Sequence, residues 1–412
     1  MLEKHGSQEK PSSEYPYEPI YRPWSWILSS STNLFLFAAV VCLAYMIYKR
    51  RRASGRKRRV LTYRVEVNKP LLESAEEPTK INALVTGGSG NLGREIVSCL
   101  LKDGGYKIHS LDLFIPEEEN RNSEVCSYIQ ADITNYDDLC IATKGMDVVF
   151  HVAAIVPGVM GASNRDFDDV NLKGTENVIA ACKEQKVKRL IYTSSVEVVQ
   201  GKGHIEEDII NEDYPFPKDS LNAYVRTKRA AEKAVLATNN QESLKTCAVR
   251  PGAILEMMAH HKLSRPMYIG EKGNFYPMTA GEDVAKIQLQ LDKILVDNPP
   301  LAAGKVYILA TTLSERELAE AIATELDDGQ KAESFSMFLL TLLTYVNVFG
   351  YWLTGTAPIH PHMTLMNLDF AKPRSHNYSC ARAQKELGWT PSPWKECVRK
   401  LAKEWKDTKK DK

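Results

Sequence analysis

The chain has almost no net charge. Its 53 lysines and arginines stand against 52 aspartates and glutamates, leaving +1 at pH 7. No global positive field is available to hold nucleic acid, so nucleic acid is excluded as the partner. Cysteine is sparse: the eight, at 42, 99, 126, 140, 182, 247, 380 and 397, form no Cys-x-x-Cys pair and accompany no His-rich spacing. That pattern favours reduced thiols in a cytosol-facing protein over a disulfide framework or a zinc site.

Charge is also missing locally. From Pro23 to Tyr48 the only ionisable side chains are Cys42, Tyr45 and Tyr48, and Leu34 to Tyr48 is almost wholly apolar. With the preceding serines, that run is long enough to cross a bilayer, and Trp24, Trp26, Tyr45 and Tyr48 suit its two interfaces. Lys49-Arg50-Arg51-Arg52 and Arg56-Lys57-Arg58-Arg59 follow directly. The positive-inside rule therefore puts everything after them on the cytosolic side. A cleaved signal peptide would have a shorter apolar core and a basic leader. A second charge-free run, Phe335 to Leu353, contains threonines, Asn347 and Gly350, which make it a poor span. An interfacial or substrate-covering helix is expected there, with a plain core helix as the bland alternative.

What is present centres on Thr86-Gly87-Gly88-Ser89-Gly90-Asn91-Leu92-Gly93. An apolar run enters this loop and a helical pattern leaves it. Glycines at 87, 90 and 93 permit a tight turn, close approach of backbone to phosphate and close helix-strand packing, and the new helix aims its positive end at an anion. A lone glycine loop is weak evidence, so its surroundings decide.

Those surroundings alternate strand and helix. Strands are expected at Asn82–Thr86, Lys107–Leu113, Tyr128–Gln130, Asp147–Val152, Arg189–Thr193, Thr246–Arg250 and Lys305–Leu309. Helices are expected at Leu92–Leu101, Asp168–Lys183, Ala223–Ala237, Asp283–Leu295, Glu315–Leu326 and Trp394–Trp405. The pattern predicts an α/β fold, a Rossmann-type doubly wound parallel sheet with a smaller C-terminal substrate region, preceded by an N-terminal transmembrane helix. The expected divisions are a tail at 1–22, the span at 23–48, a basic linker at 49–79, the dinucleotide-binding domain at 80–310 and a substrate or membrane-associated region at 311–412.

Asp112 closes the second strand nineteen positions after Gly93, the spacing at which a carboxylate reaches the adenosine ribose hydroxyls. Leu113 and Phe114 follow, with no arginine to receive a 2′-phosphate, so NAD is favoured over NADP. Asp132-Ile133 is placed to contact adenine, or else to cap the helix near Tyr136. Tyr224 and Lys228 stand one helical turn apart. A tyrosine is a poor base at its usual pKa near 10, and a neighbouring ammonium plus a positive nicotinamide ring favours the phenolate. Ser195, at the carboxyl end of a strand, is placed to hold a substrate oxygen.

In order, the glycine loop, Asp112, His151-Val152-Ala153-Ala154, Asn171 with Gly174-Thr175, Tyr192-Thr193-Ser194-Ser195-Val196-Glu197-Val198-Val199, Tyr224-x-x-x-Lys228, Arg250-Pro251-Gly252 and the closing Asn377-Tyr378-Ser379 to Leu387-Gly388-Trp389 resemble the extended short-chain dehydrogenase/reductases. Within them the resemblance is to the 3β-hydroxysteroid dehydrogenase family, which includes the sterol-4α-carboxylate 3-dehydrogenases. It covers about residues 82 to 405. It implies that Ser195, Tyr224 and Lys228 are catalytic, with Ser194 a stand-in for Ser195 and Asn171 supporting a proton relay. It implies that Gly87, Gly90, Gly93 and Asp112 bind cofactor. Asn91, Leu92, Asp132, Ile133, Ala153 and Ala154, with Tyr224 and Lys228, complete the expected cofactor set.

Two departures stand out: Asn91 where the family usually has phenylalanine, and Ile254-Leu255-Glu256-Met257 after Arg250-Pro251, in a segment expected to shape the substrate pocket. The expected activity is NAD-dependent oxidation of the 3β-hydroxyl of a steroid or sterol, followed by loss of a 4α-carboxylate or by isomerisation. Membrane lipid, a homodimer and the endoplasmic reticulum membrane follow from the same resemblance. The rivals are an enzyme of nucleotide-sugars or another soluble alcohol, and a non-enzymatic dinucleotide-binding protein tethered to a membrane.

Overall fold

Short runs of β-branched and aliphatic residues, buried on both faces, build a central sheet of seven strands. From edge to edge it runs Val306–Leu309, Lys245–Pro251, Arg189–Thr193, Val148–His151, Ile81–Thr86, Tyr106–Asp112 and Cys126–Gln130, and every neighbouring pair is parallel. The computed structural model describes residues 80–116, 126–158, 161–200, 209–240, 242–271, 273–360, 362–371 and 377–410. The expected tail, membrane span and basic linker lie outside the described residues.

Alternation along each strand assigns the side chains to two layers. Ala83, Val85, Val148, Phe150, Ile191, Cys247 and Val249 face one core, which the helices Asn91–Asp103 and Gly281–Asp297 cover. Leu84, Val149, Leu190, Tyr192 and Ala248 face the other, covered by Tyr136–Thr143, Thr175–Glu184 and Ala223–Ala237. This is the doubly wound parallel sheet that the strand-helix alternation predicts. The chain lays its first three strands outward from Ile81–Thr86, then returns to place Val148–His151 on the other side. That reversal opens a crevice at the carboxyl ends of those two strands, where ligands of such sheets bind.

A third core joins Leu255, Ala259, Leu263 and Met278 to Leu313, Leu318, Ile322, Val398 and Ala402. It therefore mixes residues from both sides of position 310. Its strands, Ala253–Ile254, Phe275–Thr279 and Thr311–Ser314, are too short for periodicity to reveal. Leu255, expected near the substrate, is buried in this core. The neighbouring Glu256 carboxylate accepts the Gly281 N–H at 2.9 Å and so caps the following helix.

The helix expected over 168–183 is three pieces: Asn164–Phe167, a π-helical stretch Asp168–Gly174, and Thr175–Glu184. The second charge-free run is a helix, Met337–Thr354, whose buried residues are Thr344, Asn347 and Gly350. Six of its aromatic and aliphatic side chains are exposed, Phe338, Leu339, Tyr345, Phe349, Trp352 and Leu353, with Phe338 at 77% and Trp352 at 75%.

Candidate active site

The glycine loop forms a cradle that side chains would fill. Gly87 has φ +71°, and a Cβ there would meet the Ala153 backbone at 2.8 Å; a Cβ on Gly93 would lie 2.0 Å from the Gly87 carbonyl oxygen. Glycine is therefore required at both positions, by left-handed backbone at one and by contact at the other. Gly90 is the N-cap of Asn91–Asp103, with no side-chain cap and no acidic residue in the first turn. The leading N–H groups are thus left for an external anion. Cradle and uncapped helix fit a pyrophosphate.

Asp112 ends its strand beside this loop. One carboxylate oxygen accepts the Ser89 N–H at 3.0 Å and the other the Phe114 N–H at 3.3 Å. These bonds hold it at the strand tip, where a ribose diol would lie. The Asp132 carboxylate accepts the Thr134 N–H at 2.8 Å, while Asn135, not Asp132, caps the helix Tyr136–Thr143. The Ile133 side chain is buried in the sheet's core against Gly174, which leaves only its backbone to face a base.

The residues that join the glycine loop to the next strand come from the motifs around His151 and Asn171, whose contacts with one another the spacing did not reveal. His151 is fully buried, one ring nitrogen 2.7 Å from the Thr86 hydroxyl and the other 2.9 Å from that of Thr175. Burial, with a smaller contribution from the Lys228 charge, pushes its pKa down to about 3. The Thr86 oxygen in turn accepts the N–H groups of Val152 and Ala153 at 3.2 and 3.4 Å. Asn171 lies in the π-helical stretch, a frequent feature of functional sites. Its amide is spent on Ile155, accepting the N–H at 2.7 Å and donating to the carbonyl at 2.9 Å. It fixes the loop beyond Ala154; the signal for that role is its place opposite the loop, which sequence spacing does not carry.

Ser195, Tyr224 and Lys228 converge at the carboxyl end of Arg189–Thr193. The Ser195 side chain lies close enough to the Tyr224 phenol to lower its pKa, and the Ser195 oxygen accepts the Glu197 N–H at 3.2 Å. The Ser194 hydroxyl is buried without a partner. The Lys228 ammonium donates to the Thr193 carbonyl at 2.5 Å and sits 4.4 Å from the Tyr192 ring centre. Burial pushes Lys228 down to about 7, against the opposing Glu232 charge. Burial pushes Tyr224 up to about 12, partly countered by Ser195. The sequence argument expected lysine to lower the phenol. In the protein alone desolvation wins, and the phenol is held protonated until a cation joins it.

A roof lies over this set. Met366 and Phe370, from the helix Leu365–Ala371, pack on the cluster of Phe167, Ala223, Tyr224 and Val225 together with Ile155 and Leu221. Their i, i+4 spacing was a readable signal, obscured by the polar residues around it. Among the described residues no cluster of metal-ligating side chains occurs.

The fold and this site define an extended short-chain dehydrogenase/reductase, a class that moves hydride between a nicotinamide dinucleotide and a CH–OH group. The sequence profile of the 3-beta hydroxysteroid dehydrogenase/isomerase family matches residues 84–286, and over that part the chain is similar to that family.

A 3-beta-hydroxysteroid dehydrogenase of Mycolicibacterium neoaurum is 36% identical over 179 residues, 42% of this chain and 47% of the relative. The chain thus spans about half of that relative's length. A 3beta-hydroxysteroid-dehydrogenase/decarboxylase isoform of Arabidopsis thaliana is 28% identical over 80% of this chain and 63% of its own length. Among solved structures, UDP-glucose 4-epimerase of Thermus thermophilus in complex with NAD superposes with a TM-score of 0.58 at 20% identity, covering 78% of this chain and 98% of its own. At that identity the likeness concerns the fold.

Proposed function

We propose that the chain is an NAD-dependent dehydrogenase of the 3β-hydroxyl of a steroid or sterol. The observation that carries this reading is the gathering of Ser195, Tyr224 and buried Lys228 at the end of one strand beneath an apolar roof, beside a phosphate cradle. Asp112, with no arginine after it, favours NAD over NADP. The relatives named for 3β-hydroxysteroid dehydrogenation support the substrate class. An oxidised nicotinamide bound here supplies the hydride acceptor and a positive charge.

The chain's own residues do the rest. Ser195 donates to the substrate oxygen and fixes it against Tyr224. The Tyr224 phenolate takes the hydroxyl proton. Lys228 holds the ribose side of the site and keeps a positive charge near the phenolate, which lowers the cost of forming it in a buried place. Asn171 keeps the loop after Ala154 in register. Where the substrate carries a 4α-carboxylate, that group is β to the new ketone. Its C–C bond electrons then pass into the carbonyl as carbon dioxide leaves, and a proton replaces it. A Δ5 substrate without that carboxylate is set up for isomerisation instead.

The reading extends to a single-pass anchor over 23–48 with the catalytic unit on the cytosolic face of the endoplasmic reticulum membrane. The charge-free run and the basic block after it support this, and family analogy supports a homodimer. The test is a substrate panel with NAD: 3β-hydroxysterols with and without a 4α-carboxylate, and nucleotide-sugars. The reading expects NADH from the sterols only, with carbon dioxide from the carboxylates. NADH from nucleotide-sugars at an equal rate would replace it with the soluble-alcohol reading.

A further inference from the structure

A buried ammonium is ordinarily paired with a carboxylate, because leaving it alone in a low dielectric is costly. Lys228 is 3% exposed. The buried ion pairs among the described residues are Arg189–Asp292, Arg250–Glu232 and Lys262–Glu315, and Lys228 is in none of them. Glu232, one turn further along Ala223–Ala237, is the carboxylate whose charge reaches it. Both Glu232 oxygens are taken by Arg250, at 2.6 and 2.9 Å. His151, on the neighbouring strand, is neutral near pH 7 because burial holds its pKa near 3. On the same helix Tyr224 is protonated near pH 7, with the Glu197 charge acting on that phenol, and Arg229 turns away to the carbonyls of Val198, Pro217 and Gln200.

Two uncharged groups stand where a carboxylate would. The Thr193 carbonyl accepts from the ammonium at 2.5 Å, and Nζ lies over the Tyr192 ring, 4.4 Å from its centre. The strand Arg189–Thr193 places both. Its ladder to Val148–His151 ends with Tyr192 opposite His151, so the Thr193 carbonyl lies past the last pair and can accept from a side chain. From the other face of the sheet, fully buried Gln288 donates to the Thr193 hydroxyl at 2.8 Å and ties that residue to the helix Gly281–Asp297. The Tyr192 ring is 1% exposed and stands beside the His151 ring, with centres 5.5 Å apart. Its hydroxyl is buried without a hydrogen bond. What separates Tyr192 from the aliphatic residues of the same core is an electron-rich face turned to a cation.

We propose that Tyr192 is a positioning residue for the reaction: its ring face, with the Thr193 carbonyl, holds Lys228 as an ammonium without neutralising it. The attraction is between the cation and the ring quadrupole, and it is largest where water is excluded. An uncharged cage matters to the chemistry. A carboxylate touching Lys228 would cancel much of its field at the Tyr224 phenol, one helical turn away. A carbonyl and a ring face attract the nitrogen and its protons but add no net charge. The positive charge is thereby left to favour the phenolate and to hold the ribose side of a bound nicotinamide nucleotide. The cage stands apart from the sterol reading above, while its effect on turnover rests on that reading.

The test follows the ammonium itself. Full-length protein labelled with carbon-13 at the lysine ε position is titrated by NMR, and the Lys228 signal is the one missing from Lys228→Arg. Tyr192→Phe keeps the ring face and drops the unbonded hydroxyl. Phenylalanines carrying increasing numbers of ring fluorines, placed at the same position, draw electron density from that face with little change of shape. The cage predicts a Lys228 midpoint in Tyr192→Phe close to wild type. With fluorination it should fall stepwise, by about one pH unit or more for the fully fluorinated ring, because a weaker face favours the neutral amine. NAD affinity near about pH 7.5, measured by calorimetry, should weaken in the same order, by about ten-fold at the end of the series. The alkaline limb of kcat/KM for a 3β-hydroxysterol should move to lower pH, while the urea midpoint for unfolding stays near that of Tyr192→Phe. A Lys228 midpoint unchanged along the series overturns the cage, as does a fall in Tyr192→Phe as large as that of the fully fluorinated ring. A falling midpoint with unchanged NAD affinity overturns the positioning role. A falling midpoint in a protein that turns over no sterol supports the cage and removes the sterol reading.

Discussion

Replacing His151 with glutamine should remove a specific piece of the protein's acid sensitivity. The ring is enclosed between two threonine hydroxyls, and burial holds its pKa near 3, whereas an unfolded histidine titrates near 6.5. Between those values the unfolded chain carries the extra proton, so folding stability falls as pH falls. Above about 6.5 the contribution is complete, and below about 3 the loss levels off. Integrating that difference gives a loss of about 2 kcal/mol between about pH 7.5 and pH 5. Glutamine is close in size, can bond both threonines and does not titrate in this range. Urea unfolding of both proteins at the two pH values isolates the effect, because all other titrating groups are shared. Glutamine should be less stable than histidine near pH 7.5 and lose about 2 kcal/mol less on acidification. Equal losses in the two proteins would show that His151 takes up its proton in the folded state, and would refute the sealed position assigned to it.

Two further substitutions probe the cradle and the core. Gly93→Ala puts a methyl group where only 2.0 Å separates it from the Gly87 oxygen; NAD affinity by calorimetry should fall about a hundred-fold, close to 2.7 kcal/mol. Arg250→Met leaves the Glu232 carboxylate, now bonded by Arg250 at 2.6 and 2.9 Å, buried without its cation. Unfolding free energy should drop by about 3–5 kcal/mol, and adding Glu232→Met should recover most of it.

The parallel sheet and its order of motifs were legible because buried strands read as apolar runs and the glycine loop has a fixed spacing to Asp112. Arg189–Thr193, Ala223–Ala237 and Glu315–Leu326 fall where periodicity put them. The short strands around the third core carry two to five residues each, too few to show a period. The break in the helix before Glu184 was hidden because a π-helical turn leaves the apolar pattern almost unchanged. Thr344, Asn347 and Gly350 marked the second apolar run as a poor span, and they are the residues it buries. Which way that helix faced depended on His360 and Met363, whose carbonyls accept from Asn347, and on Pro358 against Gly350, partners no local pattern reveals. The Tyr224 pKa shows the same limit: adjacency to Lys228 was readable, but the depth of burial that outweighs it was not.

The most direct measurement of the central claim is NADH formation from a 3β-hydroxysterol by wild type and Tyr224→Phe, with NAD affinity determined alongside. The phenyl ring keeps the packing of Tyr224 in its cluster and removes only the proton acceptor. The account predicts unchanged NAD binding and a rate lowered about 10²–10⁴-fold, the scale of a lost acid-base group. Undiminished turnover in Tyr224→Phe would contradict it.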